Sequence, residues 1–530
     1  MIPRELFALK LNPFRALTGL VSSRPQTPHP IVATSHGSIE GAQEASVYAF
    51  KGIPYAAPPV GALRWRPPQA AKPWRRTRDA TRFGPPCTQL EQRRCKLMGS
   101  EDCLTLNVWT PSVDRDAMLP VFFFIHGGDH VVGSSAEASY HGQFLSVLAQ
   151  SMVVTFNYRL GACGFLAHPA FHDENAHGAA GNYGLMDAIA ALRWVRENAR
   201  NFGGDASKVV LVGQSAGSIN ACALLTSQEC SGLFAAAILH SGPCHVQAEA
   251  IVGQTANEAA EFLGCSRSKD PAACLRSRSI RRVVRLPGAG LSCNQSDRSA
   301  YRPNVDGFIL RQAPERVILD RKHNQVPVII GTNADEYSWI LAEALKGDLP
   351  IRNEKQYLGI LDSLFGPHQV STRFVADLYP FQKDSDSFAN VVHAYGDYFM
   401  QYPSRALSRL LATNQPQPIW RFVYAHTYSN GRYKPDRAGH GFELPFLFRH
   451  FDLFDFSPNH DEEDLSRFLI AAWRNFALTG NPNVSGSPVT WPQYRPCEES
   501  YLVLDTPLRI ETQNADSPLD YWERKYPDLP

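Results

Sequence analysis

Short, mostly apolar runs recur along the chain, separated by longer stretches in which apolar residues return every three to four positions. The runs are Val121 to Ile125 (VFFFI), Met152 to Tyr158, Val209 to Gly213, Ala235 to Gly242 and Val326 to Gly331. A strand that is hydrophobic along its whole length is expected where helices cover both faces of a sheet, so these runs predict buried strands. Between them, Leu185 to Phe202 carries apolar residues at 185, 189, 192 and 195 and stops before Gly203-Gly204. That spacing predicts an amphipathic helix with a glycine stop. Alternation of the two patterns predicts an α/β protein built on a mixed or mostly parallel sheet.

A chain of 530 residues has room for several domains, but it shows no internal repeat and no low-complexity linker. The simplest reading is a single domain over residues 30–530, preceded by a loosely attached N-terminal extension over residues 1–29. Lys and Arg number 52 against 51 Asp and Glu, so no global field exists to attract a polyanion, and nucleic acid is not expected as a partner. The basic stretch Arg276 to Arg285 reads as a solvated helix face. No run approaches the roughly 18 apolar residues that span a bilayer.

The eleven cysteines are an odd number, so at least one thiol is unpaired. Cys87, Cys95 and Cys103 crowd one polar stretch, and Cys265 and Cys274 bracket a short turn-rich segment suited to a small disulfide loop. Cys163 and Cys222 lie in apolar sequence and read as buried thiols. No paired CxxC spacing suggests zinc. The cysteine placement points to an oxidising compartment, secreted or periplasmic, whereas the charge-interrupted N-terminus is a poor signal peptide and points to the cytoplasm.

The candidate chemistry begins at Gly213-Gln214-Ser215-Ala216-Gly217, which follows the Val209 run and precedes a helix-forming segment. GxSxG alone is weak, appearing by chance in about one chain in five or six of this length. Strand, tight turn and helix around it make Ser215 a candidate nucleophile, with the helix N-terminus aimed at any negative charge that develops there. Serine needs a base, and the base needs an acid to hold its tautomer. Asp335 and Glu336 follow the Val326 run, and His440 sits between glycines in a later loop.

These residues lie within a wider resemblance. From about Val32 to Trp522 the chain resembles the type-B carboxylesterases, the esterase and cholinesterase branch of the α/β hydrolases. The matching stretches are FKGIPYAAPPVGALRWRPPQ, SEDCLTLNVWTP, the HGG turn, NYRLGACGFLA, GNYGLMDAIAALRWVRENARNFGGD, GQSAGS, VDGFIL, NADE, GHGFELPF and FALTGNPN, in family order. The resemblance implies an α/β-hydrolase fold, a large mostly parallel sheet flanked by helices, with loop and helical insertions forming a gorge. It implies Ser215 as nucleophile, His440 as base and then acid, and Glu336 rather than Asp335 as the orienting carboxylate. Backbone N–H groups of Gly128, Asp129 and Ala216 would form the oxyanion hole. Disulfides would join Cys87 to Cys103 and Cys265 to Cys274, leaving Cys95 as an extra thiol. The implied activity is hydrolysis of a small to medium, mostly uncharged or apolar ester through an acyl-enzyme. It needs no metal or organic cofactor and is carried by a monomer or weak homo-oligomer. A noncatalytic adhesion protein on the same fold, or a lipase or amidase using the same triad, are the alternatives.

Four positions depart from the family pattern. Gln214 stands where glutamate is usual beside the nucleophile, and the Cys87 to Cys103 loop lacks the tryptophan with which cholinesterases face choline. Tyr337 replaces a common glycine. Asp129 places a carboxylate in the oxyanion turn, where at about 4 Å it would oppose an oxyanion by several kcal/mol at an effective dielectric near 20. Activity therefore requires that carboxylate to turn away, be protonated, or pair with a neighbour such as His130. One reading has it bonded locally on the wall of the site; the other has it activate the deacylating water.

Overall fold

Val121 to Ile125 forms most of a strand near the middle of an eleven-stranded sheet in the computed structural model. The structure describes residues 29–527 except 92–94, 173, 175–176, 289–299 and 384–385. All but the last residue of the N-terminal extension lies outside the described residues. In chain order the strands are β1 (Ala42–Glu44), β2 (Val47–Pro54), β3 (Thr105–Thr110), β4 (Leu119–Ile125), β5 (Met152–Phe156), β6 (Gly204–Gln214), β7 (Ala236–His240), β8 (Val328–Asn333), β9 (Ile419–Tyr424), β10 (Ser500–Leu504) and β11 (Arg509–Thr512). Their order across the sheet is β11-β10-β9-β8-β7-β6-β4-β5-β3-β2-β1. From β5 through β4 and β6 to β10 every pairing is parallel, and the outer pairings are antiparallel. The fold is thus the α/β-hydrolase arrangement of a large, mostly parallel sheet flanked by helices.

Side chains alternate across a strand, which explains why β4 is apolar throughout. Val121, Phe123 and Ile125 join one core with Leu185, Ile189 and Leu192 of helix α1 (Tyr183–Asn198). Phe122 and Phe124 join the opposite core with Leu465, Leu469 and Trp473 of a later helix, His460–Thr479. Each such fully buried side chain contributes about 1.5–3 kcal/mol. Helix α1 runs on into a 3₁₀ turn, Ala199–Phe202, and Gly203 at φ +77° ends it. The Arg276 to Arg285 stretch is not one solvated helix face. It is split between two short helices, Pro271–Arg276 and Ile280–Val283, and the Arg276 guanidinium is engaged by Glu174 and the carbonyl of Arg64.

The connection leaving β4 runs to β5 on one side, whereas the connection leaving its other neighbour, β6, runs to β7 on the opposite side. Such a switch point opens a crevice at the carboxyl ends of the strands. The HGG turn leaves β4 into that crevice, and Ser215 leaves β6 beside it, with Gly213 paired to Ile125. Between β8 and β9 a helical insertion builds its own core from Tyr357, Leu361, Phe365, Val391 and Tyr398 against Trp522.

Cys87 pairs with Cys103 and Cys265 with Cys274, at Cα separations of 5.0 and 5.7 Å. Two sequence expectations fail. Cys95 is disulfide-bonded rather than an extra thiol. Cys222 is bonded to Cys244 at a Cα separation of 5.3 Å, because the helix after Ser215 packs over the end of β7 and carries Cys222 onto the loop that follows. Cys163 and Cys230 are the buried free thiols among the described residues, and Cys497 is an exposed one.

Candidate active site

Ser215 joins β6 to helix α2 (Ala216–Thr226) at φ +57°, ψ −128°, a conformation that L-residues adopt only when their surroundings impose it. The surroundings here are backbone. A Cβ on Gly213 would strike the carbonyl of Gly217, one on Gly217 would strike that of Ile125, and one on Gly242 would strike that of Ser215 itself. Gly242, at the end of β7, is a third obligatory small residue that the GxSxG pattern does not reveal. The Ser215 amide donates to His240 O at 2.9 Å, fixing the turn to β7.

Glu336 and His440 come from loops after β8 and β9, which are adjacent parallel strands. His440 Nδ1 is 2.5 Å from Glu336 Oε2, and its amide donates to Glu336 O at 3.1 Å. The second carboxylate oxygen, Oε1, accepts from the Asn333 amide at 2.8 Å. Asp335 faces away: its Oδ1 lies 3.3 Å from His393 Nε2 and 3.8 Å from Arg437. Behind the pair is a network that sequence reasoning missed. Glu443 accepts from Asn333 Nδ2 at 2.7 Å and lies 3.2 Å from His240 Nδ1. Its signal was a lone carboxylate inside the apolar run FELPF. Burial opposes charge on His440, but Glu336 and then Glu443 outweigh it and raise the imidazole above its ordinary range.

Gly128, Asp129 and Ala216 have backbone N–H groups with no acceptor among the described residues. The turn that carries the first two touches Ser215, since a Cβ on Gly127 would lie 2.9 Å from Ser215 Cβ. Gly128, Asp129 and His130 all have positive φ, at 111°, 51° and 61°. The Asp129 side chain is turned to Arg302, whose Nη2 donates to Oδ1 at 3.0 Å. His130 is not its partner. That ring is buried against Asn220 Oδ1 at 2.9 Å and pushed down to about 4, by burial first and Arg302 second.

A carboxylate neutralised by a guanidinium leaves the neighbouring N–H groups free to bind an anion. Arg302→Met strips that partner. The freed charge should cost about 2–3 kcal/mol of transition-state stabilisation after screening, a roughly 30- to 150-fold fall in kcat/KM. Adding Asp129→Asn to the same chain should restore most of it. A double variant no better than the single one would mean that Arg302 acts by packing alone.

The Ser215 hydroxyl has no hydrogen-bond partner among the described residues, and His440 Nε2 lies 3.2 Å from Gln214 Nε2. The Tyr337 ring lies parallel to the His440 imidazole, 6.5 Å away. No cluster of three or more His, Cys, Asp or Glu among the described residues is arranged to hold a metal. The arrangement offers a hydroxyl on a strained turn, an imidazole with one nitrogen fixed by a buried carboxylate, and unpaired backbone donors beside them.

Comparison with known proteins follows the same lines. The profile described as the carboxylesterase family matches residues 28–522. The fumonisin B1 esterase of Sphingopyxis macrogoltabida is 34% identical over 489 residues, covering 89% of this chain and 86% of that protein. The para-nitrobenzyl esterase of Bacillus subtilis (strain 168) is 32% identical, covering 91% and 96%. Among solved structures, a carboxylesterase of Geobacillus stearothermophilus superposes with a TM-score of 0.80 at 29% identity, covering 93% of this chain and 99% of that one.

Proposed function

This chain belongs to the carboxylesterase family, and from that premise we propose that it hydrolyses a small to medium, mostly uncharged or apolar ester through an acyl-enzyme on Ser215. The observation that carries this reading is the His440–Glu336 pair, 2.5 Å apart at the carboxyl ends of the sheet strands. Glu336 accepts a hydrogen bond from Nδ1–H, which keeps the ring proton there and leaves the Nε2 lone pair to accept the Ser215 proton as the hydroxyl attacks the ester carbonyl. The carbonyl oxygen, becoming an oxyanion, receives hydrogen bonds from the N–H groups of Gly128, Asp129 and Ala216. His440 then protonates the departing alcohol, and water repeats the sequence on the acyl-enzyme.

Two features support an uncharged substrate. Gln214 places an amide rather than a carboxylate beside the nucleophile, and the charge of Asp129 is matched by Arg302. The names of the relatives cover fumonisin B1 and para-nitrobenzyl esters, so membership alone does not fix the ester. The disulfides support an oxidising compartment, secreted or periplasmic. No described helix is long and apolar enough to cross a membrane.

The test is a series of p-nitrophenyl esters of increasing acyl length followed by stopped flow. The expected result is a burst of one nitrophenol per chain with short neutral acyl groups, and trapping of the peptide containing Ser215 by a phosphonate ester. Turnover without a burst, together with phosphonylation elsewhere, would overturn the acyl-enzyme reading.

A further inference from the structure

Gln214 is the last residue of β6, paired to His240 of β7, and the residue is only 4% exposed. Its carboxamide spans two parts of the site. Oε1 lies against the oxyanion turn, 2.9 Å from where a Cβ on Gly127 would stand, and Nε2 is 3.2 Å from His440 Nε2. One proton assignment suits the neutral ring. Glu336 Oε2 accepts from Nδ1–H, so His440 Nε2 carries a lone pair and the Gln214 amide donates to it. The nitrogen that the Ser215 hydroxyl must reach is therefore already occupied by a donor. This agrees with that hydroxyl having no partner among the described residues.

We propose that Gln214 is a positioning residue, which holds His440 as an unprotonated base between turnovers and yields Nε2 to the Ser215 hydroxyl when an ester enters. The proposal rests on the assignment of Ser215 and His440 to acyl transfer. Its physical basis is an asymmetry between amide and carboxylate. An amide N–H donates only to the neutral imidazole, whereas a carboxylate in the same place can only accept from the imidazolium and so stabilises the charged ring.

Every other group facing the ring acts the other way or not at all. Glu336 at Nδ1 and Glu443 behind it favour the imidazolium, against burial. Tyr337 stacks on the ring face. Asp335, on the same loop as Glu336, is directed to His393 and Arg437. On the Nε2 side the amide of Gln214 is the hydrogen-bonding group among the described residues. With two carboxylates already near the ring, a neutral donor at this point extends the range over which the base stays free to the acid side.

The experiment is the pH profile of kcat/KM on a neutral p-nitrophenyl ester, with active sites counted by burst titration, for the unmodified enzyme, Gln214→Glu and Gln214→Met. The acid limb should rise by about one unit or more in Gln214→Glu. In Gln214→Met, which loses one hydrogen bond to the neutral ring, it should rise by about half a unit. A limb that stays in place in both variants, whatever the loss at the plateau, would overturn the proposal and leave Gln214 a packing residue. A second measurement does not depend on turnover. In protein labelled with ¹⁵N-histidine, the Nε2 resonance of His440, assigned by its loss in His440→Gln, should move in Gln214→Met. An unmoved resonance would also overturn the proposal. A resonance that moves in a protein without esterase activity would instead count against the acyl-transfer reading while sustaining the Gln214–His440 contact.

Discussion

Ser215→Ala should lower kcat for p-nitrophenyl esters by about 10⁶-fold while leaving KM within a few-fold of its original value. Alanine keeps the Cβ that the turn already accommodates at φ +57°, so the variant retains the elbow, the oxyanion donors and the His440–Glu336 pair. What it loses is the atom to which the acyl group is transferred. The remaining groups still bind the ester and polarise its carbonyl, and such remnants sustain about 10³–10⁴-fold acceleration over water. The check is steady-state turnover at high enzyme concentration together with loss of the burst. A fall of less than about tenfold would show that another residue carries the acyl group.

Glu336→Gln should be nearly as damaging, at about 10⁴-fold in kcat, without disturbing the fold. The reason lies in the direction of the new amide. The Asn333 amide donates to one oxygen of the carboxylate at 2.8 Å, so a glutamine at 336 would turn its single oxygen there and its NH₂ toward His440 Nδ1. That donor forces the ring proton onto Nε2, the nitrogen required as the base. Glu443→Gln is the comparison. Its carboxylate lies behind Asn333 rather than against the ring, so the cost there should be smaller, on the order of tenfold, with a lowered acid limb as one of the charges favouring imidazolium is removed. Equal losses in the two variants would mean that the network acts as a block and that Glu336 has no separate role.

The parts of this molecule that read well from sequence are those in which each local signal agrees with its surroundings. β4, β6 and β8 were legible because both their faces are buried, which leaves an unbroken apolar run. β9 was not, because Arg421 interrupts IWRFVY; the structure buries that arginine over the Tyr501 ring at 5.3 Å, a pairing with another strand that no local pattern announces. Without β9 there is no local reason for residues 336 and 440 to meet, so their partnership came from family likeness rather than from spacing. Asp129 raised a question that the sequence could pose but not answer. Its partner, Arg302, lies 173 positions away in a loop with no pattern to mark it. Cys222 misled for the opposite reason: its apolar neighbours describe its helix truthfully but say nothing of Cys244 on the loop packed against it.

The crowding at Gly213, Gly217 and Gly242 ties the turn at Ser215 to the assembly of the chain. Gly217 abuts the backbone of β4, and Gly242, at the end of β7, abuts Ser215 itself, so three separately coded strands must dock before the strained turn exists. Until then Ser215 is an ordinary serine on a loose segment, no more reactive than any other on the chain. Phosphonate labelling of a refolding population therefore counts finished molecules only, and esterase activity returns with the last strand to settle rather than with the first compact state.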